Sequence, residues 1–286
     1  MYESVLIPTD GSERSERAAV HGLELAAAYD ASVHVLSVVE TTALDVGQPA
    51  ETDGVLETLT SRAEAAVGDV DALVADRGLE AVTSIRDGDP TAEIQRYAAE
   101  FDIDLISLGT HGRTGVRRFV FGSVTEEILR EVPMPVLVVR PEDPVAPDYD
   151  EILVPTDGTP ASRAAVRDAI DIASRFDATV HAISVTDTRV VRAGPLVDSL
   201  SDSCRQSVEQ AAVTARQRDV PVETAVLKGT PAVEILEYVV DNALDLVVIG
   251  RHSRSGLDRF VTHSTADRVL RNTEVPVLSI RGDEDD

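Results

Sequence analysis

The chain has 286 residues, with 51 Asp and Glu against 26 Lys and Arg, for a formal net charge of −25 at pH 7. The length implies about two domains, and 43% hydrophobic residues supply two cores, built of Val, Leu, Ile and Ala because aromatics make up only 3%. Such acidity argues against sequence-independent nucleic-acid binding, which needs basic surface, and no apolar run approaches the roughly 20 residues of a membrane span.

The chain enters a strand-like run, Val5-Leu-Ile7, without a signal peptide, and Cys204 has no second cysteine to pair with. Both point to a soluble cytoplasmic protein in a reducing compartment. Lys228 is the one lysine; every other cation is arginine. Abundant carboxylate with almost no lysine suggests a halophilic source, where salt screens the repulsion.

In chain order, Glu3–Ile7 reads as a strand, followed by Asp10 and by Ser12 as N-cap of a helix over Glu13–Tyr29. Ser32–Val39 is a strand, Leu56–Ala75 an amphipathic helix, and Glu80–Ile85 an alternating strand suited to a sheet edge. Asp89-Pro90 is a cap followed by a proline at the first helical position, opening a helix over Thr91–Glu100. Asp104–Leu108 is a strand. A glycine-rich loop leads to Ser123-x-x-Glu126, which has the form of a capping box. A helix over Val124–Glu131 follows, stopped by Pro133 and Pro135 before a last strand, Val136–Val139.

The same order then returns. Val5-Leu-Ile-Pro-Thr-Asp-Gly-Ser12 recurs as Ile152-Leu-Val-Pro-Thr-Asp-Gly-Thr159, Asp104-Leu-Ile-Ser-Leu-Gly109 as Asp245-Leu-Val-Val-Ile-Gly250, and Pro135-Val-Leu-Val-Val-Arg140 as Pro276-Val-Leu-Ser-Ile-Arg281. The offset is 147 early and 141 late, so the second copy is six residues shorter. The chain is a tandem duplication: a first domain over 1–140, a linker rich in proline and acid over 141–149, and a second domain over 150–286. Alternating strands and helices specify a parallel sheet with helices on both faces. The uniformly apolar strands, those around Leu6, Ile106 and Leu137, are expected at its centre.

In an open α/β sheet, ligands bind beyond the carboxyl ends of the strands, where strand order reverses. If the first and fourth strands are neighbours, Asp10 and Gly109 share one crevice. Between Leu105 and Thr125 there is no Asp or Glu, while Arg113, Arg117 and Arg118 all lie there. A loop cleared of carboxylates, supplied with arginines and leading into a helix N-terminus suits a phosphate group. Each residue also has a plainer reading. The glycines build turns in many α/β proteins, Asp10 complements a helix dipole, and His111 and its counterpart His252 bond backbone or phosphate. His34 and His181 sit in strands and read as satisfied core residues. The chain has no G-x-x-x-x-G-K-[ST], no G-x-G-x-x-G after the first strand, no His/Cys set at metal spacing and no G-x-S-x-G elbow.

Gly109-x-x-Gly112, nine residues, then Gly122-Ser123, together with Pro8-Thr9-Asp10 at the end of the first strand, resembles the universal stress protein family. The resemblance runs over both copies. It implies a five-stranded parallel sheet of order 3-2-1-4-5 in each, with pairing through the fifth strand, here within one chain as a pseudo-dimer; a homodimer stays open. It also implies an ATP site, with Mg²⁺. Asp10 lies at the adenine end beside Pro8, and the backbone of Thr9, Val38 and Leu108 lines the adenosine pocket. Gly109, His111, Gly112 and Arg113 form the glycine loop, and Gly122, Ser123 and Val124 hold the phosphates. The second copy departs from the pattern, with Ser253 for Gly112 and His263 for Gly122. No general base is evident, so hydrolysis is expected to be slow or absent. The function expected is a nucleotide-dependent stress switch or sensor; the rival is a protein-interaction module of the same fold. An ATP pyrophosphatase would carry Ser-Gly-Gly after the first strand, where this chain has Pro8-Thr-Asp-Gly-Ser12.

Overall fold

The computed structural model describes residues 2–41, 49–110, 121–143, 149–189, 195–251 and 264–282, and the chain divides into two compact units, 1–146 and 147–286. The first unit contains β1 (Ser4–Pro8), α1 (Glu13–Tyr29), β2 (Ser32–Glu40), α2 (Pro49–Asp76), β3 (Ala81–Gly88), α3 (Pro90–Glu100), β4 (Leu105–Gly109), α4 (Ser123–Glu131) and β5 (Val136–Val139). The second contains β6 (Glu151–Pro155), α5 (Pro160–Phe176), β7 (Thr179–Asp187), α6 (Pro195–Arg216), β8 (Val222–Gly229), α7 (Pro231–Asp241), β9 (Leu246–Arg251), α8 (Thr265–Asn272) and β10 (Val277–Arg281).

Within the first unit the strands lie in the order β3-β2-β1-β4-β5 and within the second β8-β7-β6-β9-β10, all pairings parallel. Both are the expected 3-2-1-4-5 order. β1, β4 and β6 are buried along nearly their whole length, as strands covered by helices on both faces must be. Val136–Val139 is fully buried as expected, and β5 stands last in its own unit's order. β3 has no fully buried residue, which agrees with its alternating sequence and its place at the other end.

Local chemistry sets the element ends. Ser12, Asp89 and Thr159 cap α1, α3 and α5 with their side chains. α1 and α5 both end on an aspartate in the left-handed region, Asp30 (φ 53°) and Asp177 (φ 55°), a conformation that aspartate tolerates better than most residues. α2 begins at Pro49, more than a turn ahead of the expected Leu56. Gly54 interrupts the apolar periodicity there but does not break the helix.

Candidate functional site

β1 pairs with β2 on one side and with β4 on the other, so strand order reverses between β1 and β4, and it is beyond the carboxyl ends of such a pair that open α/β sheets form their ligand crevice. The loop after β1 forms one wall. Thr9 N–H donates to the Leu36 carbonyl (2.8 Å), and Thr9 Oγ1 accepts from Gly11 N–H (3.2 Å). Asp10 Oδ1 accepts from Ser12 N–H (3.1 Å), which makes an Asx-turn, and Gly11 takes φ 71°. The loop is repeated in the second unit: Thr156 N–H bonds the Ile183 carbonyl (2.8 Å), Asp157 Oδ1 accepts from Thr159 N–H (3.0 Å), and Gly158 takes φ 79°. Asp10 thus shapes its own turn, and one of its oxygens serves the backbone. Pro8, Thr9 and Leu108 are buried at the strand ends, and Val38 is half-buried on β2.

Gly109 ends β4 directly beneath the first turn of α1. A β-carbon there would lie 2.8 Å from the Arg14 carbonyl oxygen, and one on Gly250 would lie 2.4 Å from the Ala161 carbonyl oxygen. Real β-carbons do not come that close to backbone. This glycine therefore has a packing reason common to both units, alongside any approach of phosphate.

The glycine loop springs from a closed stem. Thr110 N–H donates to the Val139 carbonyl (3.0 Å), and the Thr110 carbonyl accepts from Gly122 N–H (2.7 Å). The neighbouring Gly109 carbonyl accepts the buried Thr125 hydroxyl (2.7 Å). The expected capping box is corrected here. Gly122 (φ −64°, ψ 154°) is the N-cap of α4 and Ser123 its first helical residue, with Val124 next, so no side chain caps the helix. Thr110 holds Gly122 in the extended conformation that a cap requires, and this shifts the start by one residue. In the second unit Ser264 is the cap of α8, and its hydroxyl accepts from Asp267 N–H (3.1 Å).

The second unit places Arg251 where the first has Thr110. Burial first, and then the neighbouring Arg281, lower its guanidinium pKa to about 10, against the opposing pull of Asp267. His111, Gly112 and Arg113 lie outside the described residues, as do Arg117, Arg118, His252, Ser253 and His263. Among the described residues no three His, Cys, Asp or Glu side chains are grouped to hold a metal.

The strand histidines are core residues. His34 Nδ1 meets the Tyr97 hydroxyl (3.0 Å), and burial lowers its pKa. His181 meets Tyr238 (3.1 Å) through Nδ1 and Glu151 (2.7 Å) through Nε2. Sequence reasoning missed Thr125 and the Thr9–Ser15 hydroxyl pair (3.2 Å). The pair had a signal, because Thr156 and Ser162 repeat it at the same spacing (3.2 Å). Thr125 had one only as a difference, since its counterpart is Ala266.

Comparison with known proteins accords with this geometry. The family model described as "Universal stress protein family" matches residues 1–140 and again 148–281. A universal stress protein of Mycobacterium tuberculosis is 30% identical over 289 aligned positions, covering 97% of this chain and 96% of that protein. One from Methanocaldococcus jannaschii is 37% identical over 142 residues, 49% of this chain and 83% of that protein. The crystal structure of a universal stress protein from Archaeoglobus fulgidus shares the fold, with a TM-score of 0.78 at 21% identity, covering 98% of this chain and 99% of that one. With two matched segments that together span nearly its whole length, the chain belongs to the universal stress protein family, as a tandem of two family domains.

Proposed function

We propose that the first unit binds an adenine nucleotide, ATP carried with Mg²⁺, and that occupancy makes the protein a nucleotide-dependent switch or sensor in a stress response. The observation that carries this reading is the N-terminus of α4. It opens on Gly122 with no side-chain cap, beside the β1–β4 crevice, so its first N–H groups and dipole are available to an anion. Ser123 is exposed at that end. The base would lie toward Thr9, Asp10, Val38 and Leu108, and His111, Gly112 and Arg113 would close over the phosphates. Mg²⁺ would be held chiefly by phosphate oxygens and water, as is usual for this ion. No described side chain stands out as a general base, so binding rather than turnover is the expected activity, in a protein of the cytoplasm.

The rival reading, an interaction module without nucleotide, is favoured by one observation: α8 is capped by its own Ser264.

The experiment is a titration of ATP into nucleotide-stripped protein, wild type against Gly122→His, which copies the second unit's residue. Loss of charge-assisted hydrogen bonds, each about 1.5–3 kcal/mol, weakens ATP by roughly tenfold or more while the fold persists. Equal affinity for the two proteins would remove Gly122 from the site.

A further inference from the structure

We infer that Thr125 is a positioning residue that sets the phosphate-facing turn of α4 against the end of β4; this rests on the nucleotide reading of the crevice. Its hydroxyl donates to the Gly109 carbonyl at 2.7 Å, and the side chain is buried, 3% exposed. The next carbonyl along, that of Thr110, accepts from Gly122 N–H at 2.7 Å. Two consecutive carbonyls at the end of one strand are therefore both bonded from the start of one helix. A single bond would leave a hinge; two fix both the place and the tilt of the turn that contains Ser123 and Val124.

The residue type suits the task. A threonine inside a helix commonly turns its hydroxyl onto a carbonyl of the preceding turn. At the third residue of α4 there is no preceding helical turn, and the hydroxyl reaches across to β4 instead. Branching at Cβ restricts the rotamer, so the bond costs little side-chain entropy. Gly109 is itself packed under Arg14 with no room for a β-carbon. The chain thus runs from α1 through Gly109 and Thr125 to α4, with contact at every step.

The second unit supplies the contrast within one molecule. Ala266 stands at the equivalent place and has no hydroxyl, while Gly250 is packed as tightly as Gly109. There the helix opens on a side-chain cap from Ser264. The unit whose helix start has no side-chain cap is the one with this hydroxyl bond to the strand end, whereas in the other Asp267 of α8 interacts with Arg251 at the end of β9.

The test uses the full chain, nucleotide-stripped, in molar KCl with Mg²⁺. Thr125→Val removes the hydroxyl at nearly constant volume, Thr125→Ala copies a residue that the same fold accepts at 266, and Thr125→Ser keeps the hydroxyl. ATP and adenosine affinities are measured for each, adenosine by competition. The expected result is ATP weakened about tenfold in the Val and Ala variants, adenosine changed less than about twofold, and the Ser variant close to wild type. A hydroxyl that merely satisfied a buried carbonyl would move both ligands together or neither, and either result overturns the inference. Wild-type protein that binds ATP no better than adenosine overturns it as well. Wild-type protein that binds neither ligand overturns the nucleotide reading, and the inference falls with it.

Discussion

The stems of the two glycine loops show how one fold can keep its frame and change its chemistry. Both units preserve the turn after the first strand, with its threonine, Asx-turn and left-handed glycine, and both preserve a glycine beneath the first turn of the following helix. They part at the next step. The first unit has Thr110, Gly122 and Thr125, which tie an uncapped helix to the strand end. The second has Arg251, a cap from Ser264, and Ala266. What is shared is what packing demands. What differs lies where an anion would be held.

The largest expected effect comes from a buried carboxyl in the closing turn of the first unit, beyond the shared frame. Asp143 is fully buried. Its Oδ2 accepts from Arg140 N–H (2.6 Å), and Arg17 bonds its carbonyl (2.7 Å). Burial raises its pKa from 3.8 to about 7. Because the folded value is the higher one, the folded state binds the extra proton between these limits, and stability from this group falls as pH rises from about 4 to about 7. This is opposite in sign to the usual carboxylate. At about 1.4 kcal/mol per pKa unit, the span is of order 4 kcal/mol. Urea unfolding of wild type and Asp143→Asn, compared at about pH 5 and pH 8, is expected to show the variant gaining relative stability at the higher pH. A difference independent of pH would show that Asp143 titrates normally.

The shared frame is tested next. Gly250→Ala is expected to cost about 3 kcal/mol and Gly109→Ala somewhat less, because each new methyl group meets backbone that has to move. Denaturant midpoints of the two variants measure this. If Gly109→Ala were neutral for stability while ATP binding failed, its glycine would belong to the ligand alone and the frame would be smaller than described.

Salt acts on both units and is expected to give the smallest effect. With a net charge of −25, melting temperature is expected to rise by about 5 °C or more between dilute buffer and molar KCl, as repulsion is screened. A flat profile would argue against a halophilic origin and leave the comparison of the two units intact.

Much of this was legible in the sequence. The repeat and the alternation of strands and helices follow from apolar runs and caps, whereas the strand order, and with it the crevice between β1 and β4, came from the resemblance to the family. The helix start at Gly122 was not, because Ser123-x-x-Glu126 satisfies the local pattern and only the bond from Thr110, across the loop, selects the residue before it. The packing role of Gly109 was hidden for a similar reason: Arg14 is far away in sequence and touches it through backbone, which no residue type reveals. Asp143 read as one more acid in an acidic linker, since burial of a single carboxyl depends on the turn around it. His111, Gly112 and Arg113 lie outside the described residues, so their part in the site rests on sequence.

The central claim is that the first unit alone holds nucleotide. Titration calorimetry of ATP into the full, nucleotide-stripped chain in molar KCl with Mg²⁺ tests it most directly. A stoichiometry of about one ATP per chain is expected, since one of the two helix starts has no side-chain cap and is left to an anion. Two equivalent sites, or no binding at all, would contradict it.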